Sequence, residues 1–218
     1  IADGGYATAT WWSEEGWRIK EAGDESWDRP ARGRSAWTAP AMWGQDGWSE
    51  PEQPVTGVHW YEAEAYCQWL SSKAGLPVVL PDEAEWEKAA RGTDGRRYPW
   101  GDAPPTAALC TFALPWQTGR PSPVGRCSPQ GDSPYGCADM AGNVMEWTRS
   151  PFLAYPFQPE PRASFGTVVA RGGCWSSSAD GVRCAQRAGH NSRVMRERDG
   201  SVVRAANMGF RIVVLSTL

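Results

Sequence analysis

The chain has 218 residues, 41% hydrophobic and 22% charged, with a net charge of -3. That length can bury the core of one large domain or two small ones, and the composition is that of a folded, soluble protein. The weak negative charge gives no reason to expect nucleic acid or an anionic membrane as partner, and no apolar run approaches the ~20 residues that span a bilayer. The sequence begins at Ile1, not Met, so it is read as N-terminally truncated, with a signal peptide or upstream domain missing. Its six cysteines include no Cys-x-x-Cys pair, and most of them are expected to be reduced and buried. With only His59 and His190 as histidines, a zinc or iron site of the usual ligand type is not expected.

Tryptophan is abundant at 14 residues, beside 24 Gly and 18 Pro. Over residues 1–54 no helical period lasts, and indoles alternate with turn formers, which predicts loops and short turns pinned by aromatic anchors. A helix follows in "VHWYEAEAYCQWLSSKAGLP". Ala63, Tyr66, Cys67, Leu70 and Ala74 form one apolar stripe, Gly75 is the C-cap and Pro77 blocks continuation. A second helix lies in "LPDEAEWEKAARG", with Asp82 and Glu85 as a capping box and Ala84, Trp86, Ala89 and Ala90 as its packing face. From 93 to 170 turns dominate, with short strands predicted at 122–126, 144–149 and 167–171. "MGFRIVVLS" is the best strand pattern in the chain. The sum is an α+β domain of two helices, short strands and much irregular loop, a single unit over 1–218.

Seven motifs, "PVTGVHWYEAEAYCQWL", "LPDEAEWEKAARG", "YPWG", "SPVG", "DSPYGCADMAGNVMEW", "ARGGCW" and "NMGFRIVV", stand in an order that resembles the sulfatase-modifying-factor domain, the family of the formylglycine-generating enzyme. The resemblance covers the whole chain, and "GGYATATWWSEEGW" is similar to the family's early segment. It implies the C-type lectin-like fold of the formylglycine-generating-enzyme type. It also implies that a missing first strand precedes Ile1.

The family's enzyme resembles a copper-dependent oxidase that uses two cysteines after the Arg-Gly-Gly-Ser-Trp segment, one two residues beyond the Trp and one five further on. A thiolate pair suits a soft metal such as Cu(I). Here Arg171-Gly172-Gly173-Cys174-Trp175 sets the register, and the two positions hold Ser177 and Val182. Cys174 and Cys184 stand elsewhere in register and read as small buried side chains. No catalytic residue is therefore assigned, and a protein without enzymatic activity is expected. The iron-dependent sulfoxide synthases that contain this domain rely on an added N-terminal histidine-rich domain, which this sequence lacks.

The resemblance also implies a candidate calcium site at Asp139, Gly142, Val144 and Glu146, whose hard oxygen ligands suit Ca²⁺. Met145 replaces the family's usual Trp there. The family's other calcium site opens with Ala-Asn, where this chain reads Ala108-Leu109, so that side-chain ligand is lost. No further cofactor is required. A tight turn stapled by Asp139, Asn143 and Glu146 is the plainer alternative.

The segment 176–206 mixes a few framework residues with small, polar and cationic ones that show no amphipathic period. The free positions are Ser176, Ser177, Ser178, Asp180, Gly181, Gln186, Ala188, Gly189, His190, Asn191, Ser192, Arg196, Arg198 and Arg204. The pattern resembles the variable proteins of diversity-generating retroelements, which diversify a C-terminal segment on this scaffold. That implies a non-catalytic display protein, a monomer that binds an unknown protein or surface ligand through this strip, with affinity carried by Arg196, Arg198, Arg204 and His190. The alternative is a cysteine oxidase of the formylglycine-generating type, or an inactive regulatory paralogue of it. Cytoplasmic and phage- or cell-surface locations both remain open.

Overall fold

The structure, a computed structural model, describes residues 1–25, 34–154, 167–191 and 204–215. Three α-helices are present among them: α1 (Glu14–Ala22), α2 (Trp60–Ala74) and α3 (Glu83–Arg91). The short strands are β1 (Asp24–Glu25), β2 (Arg34–Ser35), β3 (Val78–Val79), β4 (Met145–Pro151), β5 (Thr167–Arg171), β6 (Arg187–Asn191), β7 (Met208–Phe210) and β8 (Val213–Val214). The largest sheet has the order β6-β5-β4-β7, with β4 antiparallel to β5 and parallel to β7. β3 pairs with β8, and β1 with β2. Much of the remaining described chain is turn and loop, as the glycine and proline content led us to expect.

The α+β class holds, but α1 corrects the expectation of loops alone before residue 54. Its sequence EEGWRIKEA buries only Gly16, Ile19 and Lys20, too few apolar positions to make a period. End signals form it instead: the Ser13 hydroxyl accepts from the Gly16 amide, and Gly23 closes the last turn at φ 68°. The predicted strand at 122–126 is a turn, because Gly125 takes φ 73° and the Arg126 amide bonds the Pro123 carbonyl at 3.2 Å. Strand β6, by contrast, was not foreseen. Ala74 and Tyr66 of the α2 stripe and Ala84 of the α3 face are exposed, while Glu62 and Glu83 are buried in their stead.

Four tryptophans, Trp37, Trp86, Trp147 and Trp175, are almost fully buried and mark the main packing centres. The central cluster joins Val58, Ala63 and Cys67 of the α2 region to Trp147, Val168, Ala170 and Met208 of the sheet. Two indole hydrogen bonds fix that contact: Trp147 Nε1 donates to the Val58 carbonyl at 3.0 Å, and Trp60 Nε1 to the Thr148 carbonyl at 2.8 Å. All six cysteines are free thiols, five of them buried and Cys137 half-buried. No helix among the described residues is long and apolar enough to cross a membrane.

The start of α2 is an internal junction. His59 is its N-cap and accepts from the Tyr61 amide, while the Glu62 carboxylate accepts from the His59 amide at 2.6 Å. The same carboxylate accepts from the Tyr6 hydroxyl at 2.5 Å and from Arg204 at 3.2 Å, so one buried side chain ties the N-terminal segment, α2 and the C-terminal region together. Burial pushes Glu62 up to about 7, against the opposing pull of Arg204 and three hydrogen bonds. Burial also pushes His59 down to about 3, assisted by the Arg204 charge.

These two shifts act on stability with opposite signs. A carboxyl raised in the folded state adds stability as pH falls from 7 to 4.5, and a histidine lowered in the folded state removes stability as pH falls below 6.5. Between pH 6.5 and 4.5 the two offset one another. Relative to the native protein, Glu62→Gln is expected to lose stability on acidification through that window and His59→Asn to gain it, each by up to ~1.4 kcal/mol per pH unit. Chemical denaturation at a series of pH values measures both slopes, and parallel curves for all three proteins would contradict the assignment.

Candidate functional site

The segment that carries Ser177 and Val182 begins where β5 ends. Arg171 is fully buried and lies over the Trp86 ring at 5.2 Å. Its Nη2 donates to Glu87 at 2.5 Å and to the Cys184 carbonyl at 2.9 Å, and its Nη1 donates to the Gln186 carbonyl at 2.8 Å. Glu83, 3.6 Å from Arg171, also receives Arg187 through both its Nε and its Nη2. A buried charge this well surrounded keeps its cost down, while losing one partner would strand the others. Gly172 and Gly173 then turn the chain at φ 89° and 71°. A Cβ on Gly173 would sit 2.5 Å from the Gly181 carbonyl, so only glycine fits there.

This anchor delivers Cys174 and Trp175 to the interior. Trp175 stacks on Trp116 at 5.7 Å and meets Trp48 edge-on at 5.4 Å. Ser177 and Val182, at the family's two cysteine positions, are placed differently from each other. Ser177 is half-buried, its hydroxyl accepting from the Cys174 amide at 3.0 Å and its carbonyl accepting from the Ala113 amide at 2.9 Å. Val182 is fully buried against Tyr98, Cys110 and Ala141. The two neighbouring thiols belong to separate clusters. Cys174 packs with Val144 and Trp175, within 3.6 Å of the Asn207 side-chain amide. Cys184 packs with Trp86, Ala90 and Met140, where burial pushes its thiol up to about 11. The register therefore offers no pair of thiolates.

The candidate surface positions are only partly brought together. Ser176 is half-buried and lies 3.3 Å from the Cys174 sulfur, and Ser178 is exposed, its hydroxyl accepting from the Gly181 amide. Asp180 is exposed and pairs with Arg97 at 2.7 Å. Gln186 precedes β6, whereas Ala188, Gly189, His190 and Asn191 lie within that edge strand, opposite Ala170, Val169, Val168 and Thr167 of β5. These four are ladder residues, not the irregular strip the sequence implied. Arg204 also departs from expectation. It points inward, donating to the Ala39 carbonyl and to Glu62, and lies over Trp37 at 4.8 Å. Ser192, Arg196 and Arg198 fall outside the described residues.

At the candidate calcium turn, Asp139 and Asn143 take the left-handed conformation at φ 55° and 61°. One Asp139 oxygen accepts from the Gly125 amide at 2.7 Å, and burial raises the Asp139 carboxyl. Gly142 comes close to the Thr111 carbonyl and donates its amide to the Gly172 carbonyl. Val144 is buried beside Cys174 and Trp175. The Glu146 carboxylate is engaged on both oxygens by Arg211, at 2.5 and 2.7 Å, and by Trp86 Nε1 at 2.5 Å. Among the described residues no group of three or more His, Cys, Asp or Glu side chains gathers to hold a metal.

Sequence reasoning missed the Tyr6–Glu62–Arg204 junction, since its partners are 56 and 142 residues apart. The local signal was His59 followed three residues later by Glu62, a capping box with an unusual cap. Also missed was a groove of about 620 Å³ between the N-terminal segment, α2 and the Phe210–Ile212 stretch.

Comparison with known proteins gives the family and corrects one expectation. The sequence is 39% identical over 209 residues to the hercynine oxygenase of Mycolicibacterium thermoresistibile, a match spanning 84% of this chain and 42% of that protein. It is 36% identical over 194 residues to the inactive Cα-formylglycine-generating enzyme 2 of Bos taurus, spanning 82% of this chain and 56% of that protein. The fold is also that of Treponema denticola variable protein 1, with a TM-score of 0.59 at 23% identity, covering 92% of this chain and 80% of that one. The expectation of a protein without enzymatic activity is overturned by the hercynine oxygenase similarity, which extends over most of the chain although both family cysteines are replaced. The chain spans less than half the length of that relative. The sulfatase-modifying factor enzyme 1-like domain profile matches residues 2–215, and the chain belongs to that family.

Proposed function

We propose that this chain is the sulfatase-modifying-factor part of an oxygenase of the hercynine oxygenase kind, and that it does not perform copper-thiolate oxidation of cysteine. The observation that carries this reading is the 39% identity to a hercynine oxygenase in a chain whose two family cysteine positions hold Ser177 and Val182. A two-thiolate copper centre has no ligands at those positions, so the shared scaffold serves a different oxidation. The described residues do not fit an iron site either. They gather no set of three ligating side chains, and His59 is buried with its Nδ1 accepting from the Tyr61 amide. The metal of such an oxygenase would be held by ligands outside the described residues. On this reading the chain supplies a rigid wall: a sheet, two capped helices and the Arg171 anchor that hold the neighbouring loops.

The test is an assay of the full natural polypeptide with Fe(II), dioxygen, hercynine and cysteine or a cysteinyl peptide as thiol. Mass spectrometry is expected to find a sulfoxide joining thiol and hercynine. Formylglycine made in a cysteine-containing sulfatase peptide, with no such sulfoxide, would replace this reading with the cysteine oxidase.

Two site assignments extend this proposal. Exposed Ser178, Asp180 and Gly189 favour a contact role for the strip that starts at Ser176. The chemistry of Asp139 and of the Gly142 and Val144 carbonyls favours a calcium ion at the turn, provided Arg211 yields Glu146 to it. Calcium chloride is then expected to raise the melting temperature above that in EDTA, and by less in Asp139→Ala. Superimposable melting curves would leave Glu146 to Arg211 and Trp86.

A further inference from the structure

We propose that the junction at the start of α2 holds one small monovalent anion of the halide type, bound between the side chains of Trp37 and His59 beside Arg204. Both residues are almost fully buried, and their rings are in contact, with centroids 5.2 Å apart and planes tilted by 42°. Each ring carries one polar atom, Trp37 Nε1 and His59 Nε2, that meets no hydrogen-bond partner among the described residues. A buried polar group left unpaired is costly and rare, and here two of them sit on touching rings.

Both atoms are donors. An indole nitrogen can only donate. His59 Nδ1 accepts from the Tyr61 amide at 3.4 Å, which places the proton of the neutral imidazole on Nε2. Burial keeps that ring neutral by pushing His59 down to about 3. The third neighbour is a cation: the Arg204 guanidinium lies over the Trp37 ring at 4.8 Å, and its charge acts on His59 as well. A water molecule would bring two protons of its own into this set of donors, each in need of an acceptor. A halide brings none, and it can take both N–H groups at once.

Glu62 sets the charge balance. Its carboxylate accepts from the Tyr6 hydroxyl, the His59 amide and Arg204. Tyr6, His59 and Arg204 are thus the titratable or charged residues that face it among the described residues, from the N-terminal segment, the α2 cap and the C-terminal region. As a carboxylate Glu62 cancels Arg204, and as a carboxylic acid it leaves the guanidinium charge to the anion. Burial pushes Glu62 up to about 7, so near neutral pH an anion beside it is accompanied by a proton on Glu62. The anion therefore binds more tightly below pH 7 than above it. No residue of this site takes part in the proposed oxidation or in the calcium turn, so each reading can fail without the other.

The test is a melting series on the full natural polypeptide at pH 6 and pH 8, with sodium chloride replacing sodium gluconate at constant ionic strength. Chloride is expected to raise the melting temperature saturably, with a dissociation constant several-fold lower at pH 6 than at pH 8. Glu62→Gln cannot ionise, so it should keep the chloride effect and lose its pH dependence. Trp37→Phe keeps a ring without the N–H and should bind chloride several-fold more weakly. In crystals grown from sodium bromide, an anomalous scattering peak is expected within hydrogen-bond reach of Trp37 Nε1 and His59 Nε2. A native melting temperature indifferent to chloride, a chloride effect equal at the two pH values or unchanged in Trp37→Phe, or a water molecule in place of the bromide peak would each overturn the proposal.

Discussion

Much of this molecule depends on the buried guanidinium of Arg171. It joins the sheet to α3 through Glu83 and Glu87, and it holds the carbonyls of Cys184 and Gln186 from the segment entering β6. A lone buried cation would be untenable, and here two carboxylates, two carbonyls and the Trp86 ring surround it. Once Arg171 is fixed, Gly172 and Gly173 must turn where they do. Cys174 and Trp175 must enter the interior, and the positions of Ser177 and Val182 follow.

That constraint separates scaffold from chemistry. The scaffold is shared with proteins whose names record different activities, an oxygenase and an inactive relative of the formylglycine-generating enzyme among them. The frame of Arg171, two glycines and Trp175 is held largely by partners other than Ser177: Glu83, Glu87 and two carbonyls surround the Arg171 guanidinium, and the Trp175 backbone bonds Asn143 and Leu114. Val182 shows the other side of the same rule. A valine there fills a pocket among Tyr98, Cys110 and Ala141, so a position that bears a catalytic thiol in the family serves here as core. Fold alone therefore does not carry function. The step from two replaced cysteines to a protein without activity is where the sequence reasoning failed, since the similarity to an oxygenase spans most of a chain that holds Ser177 and Val182 at those positions.

Features with a local signature were legible in the sequence. The caps and breakers of α2 and α3, the turn-rich middle, and the family frame could all be read from residues a few positions apart. Helix α1 was not, because three buried residues in nine make no period and its end signals are weak alone. Strand β6 was read as free surface, since Ala188, Gly189, His190 and Asn191 are small or polar and owe their strand to pairing with β5. Arg204 looked like an exposed anchor for the same reason: nothing near it in sequence reveals Glu62 or Trp37. Nothing near Glu146 in sequence reveals Arg211 or the Trp86 indole on its carboxylate. In each case the missing information was a partner far along the chain.

The most direct test of this account is a Cu(I) competition titration of the reduced protein against a chromogenic chelator. Cys174 and Cys184 occupy different packing clusters, so no stoichiometric high-affinity Cu(I) is expected. Capture of one Cu(I) per chain, lost in both Cys174→Ser and Cys184→Ser, would contradict the account by showing that the two thiols come together as a copper site.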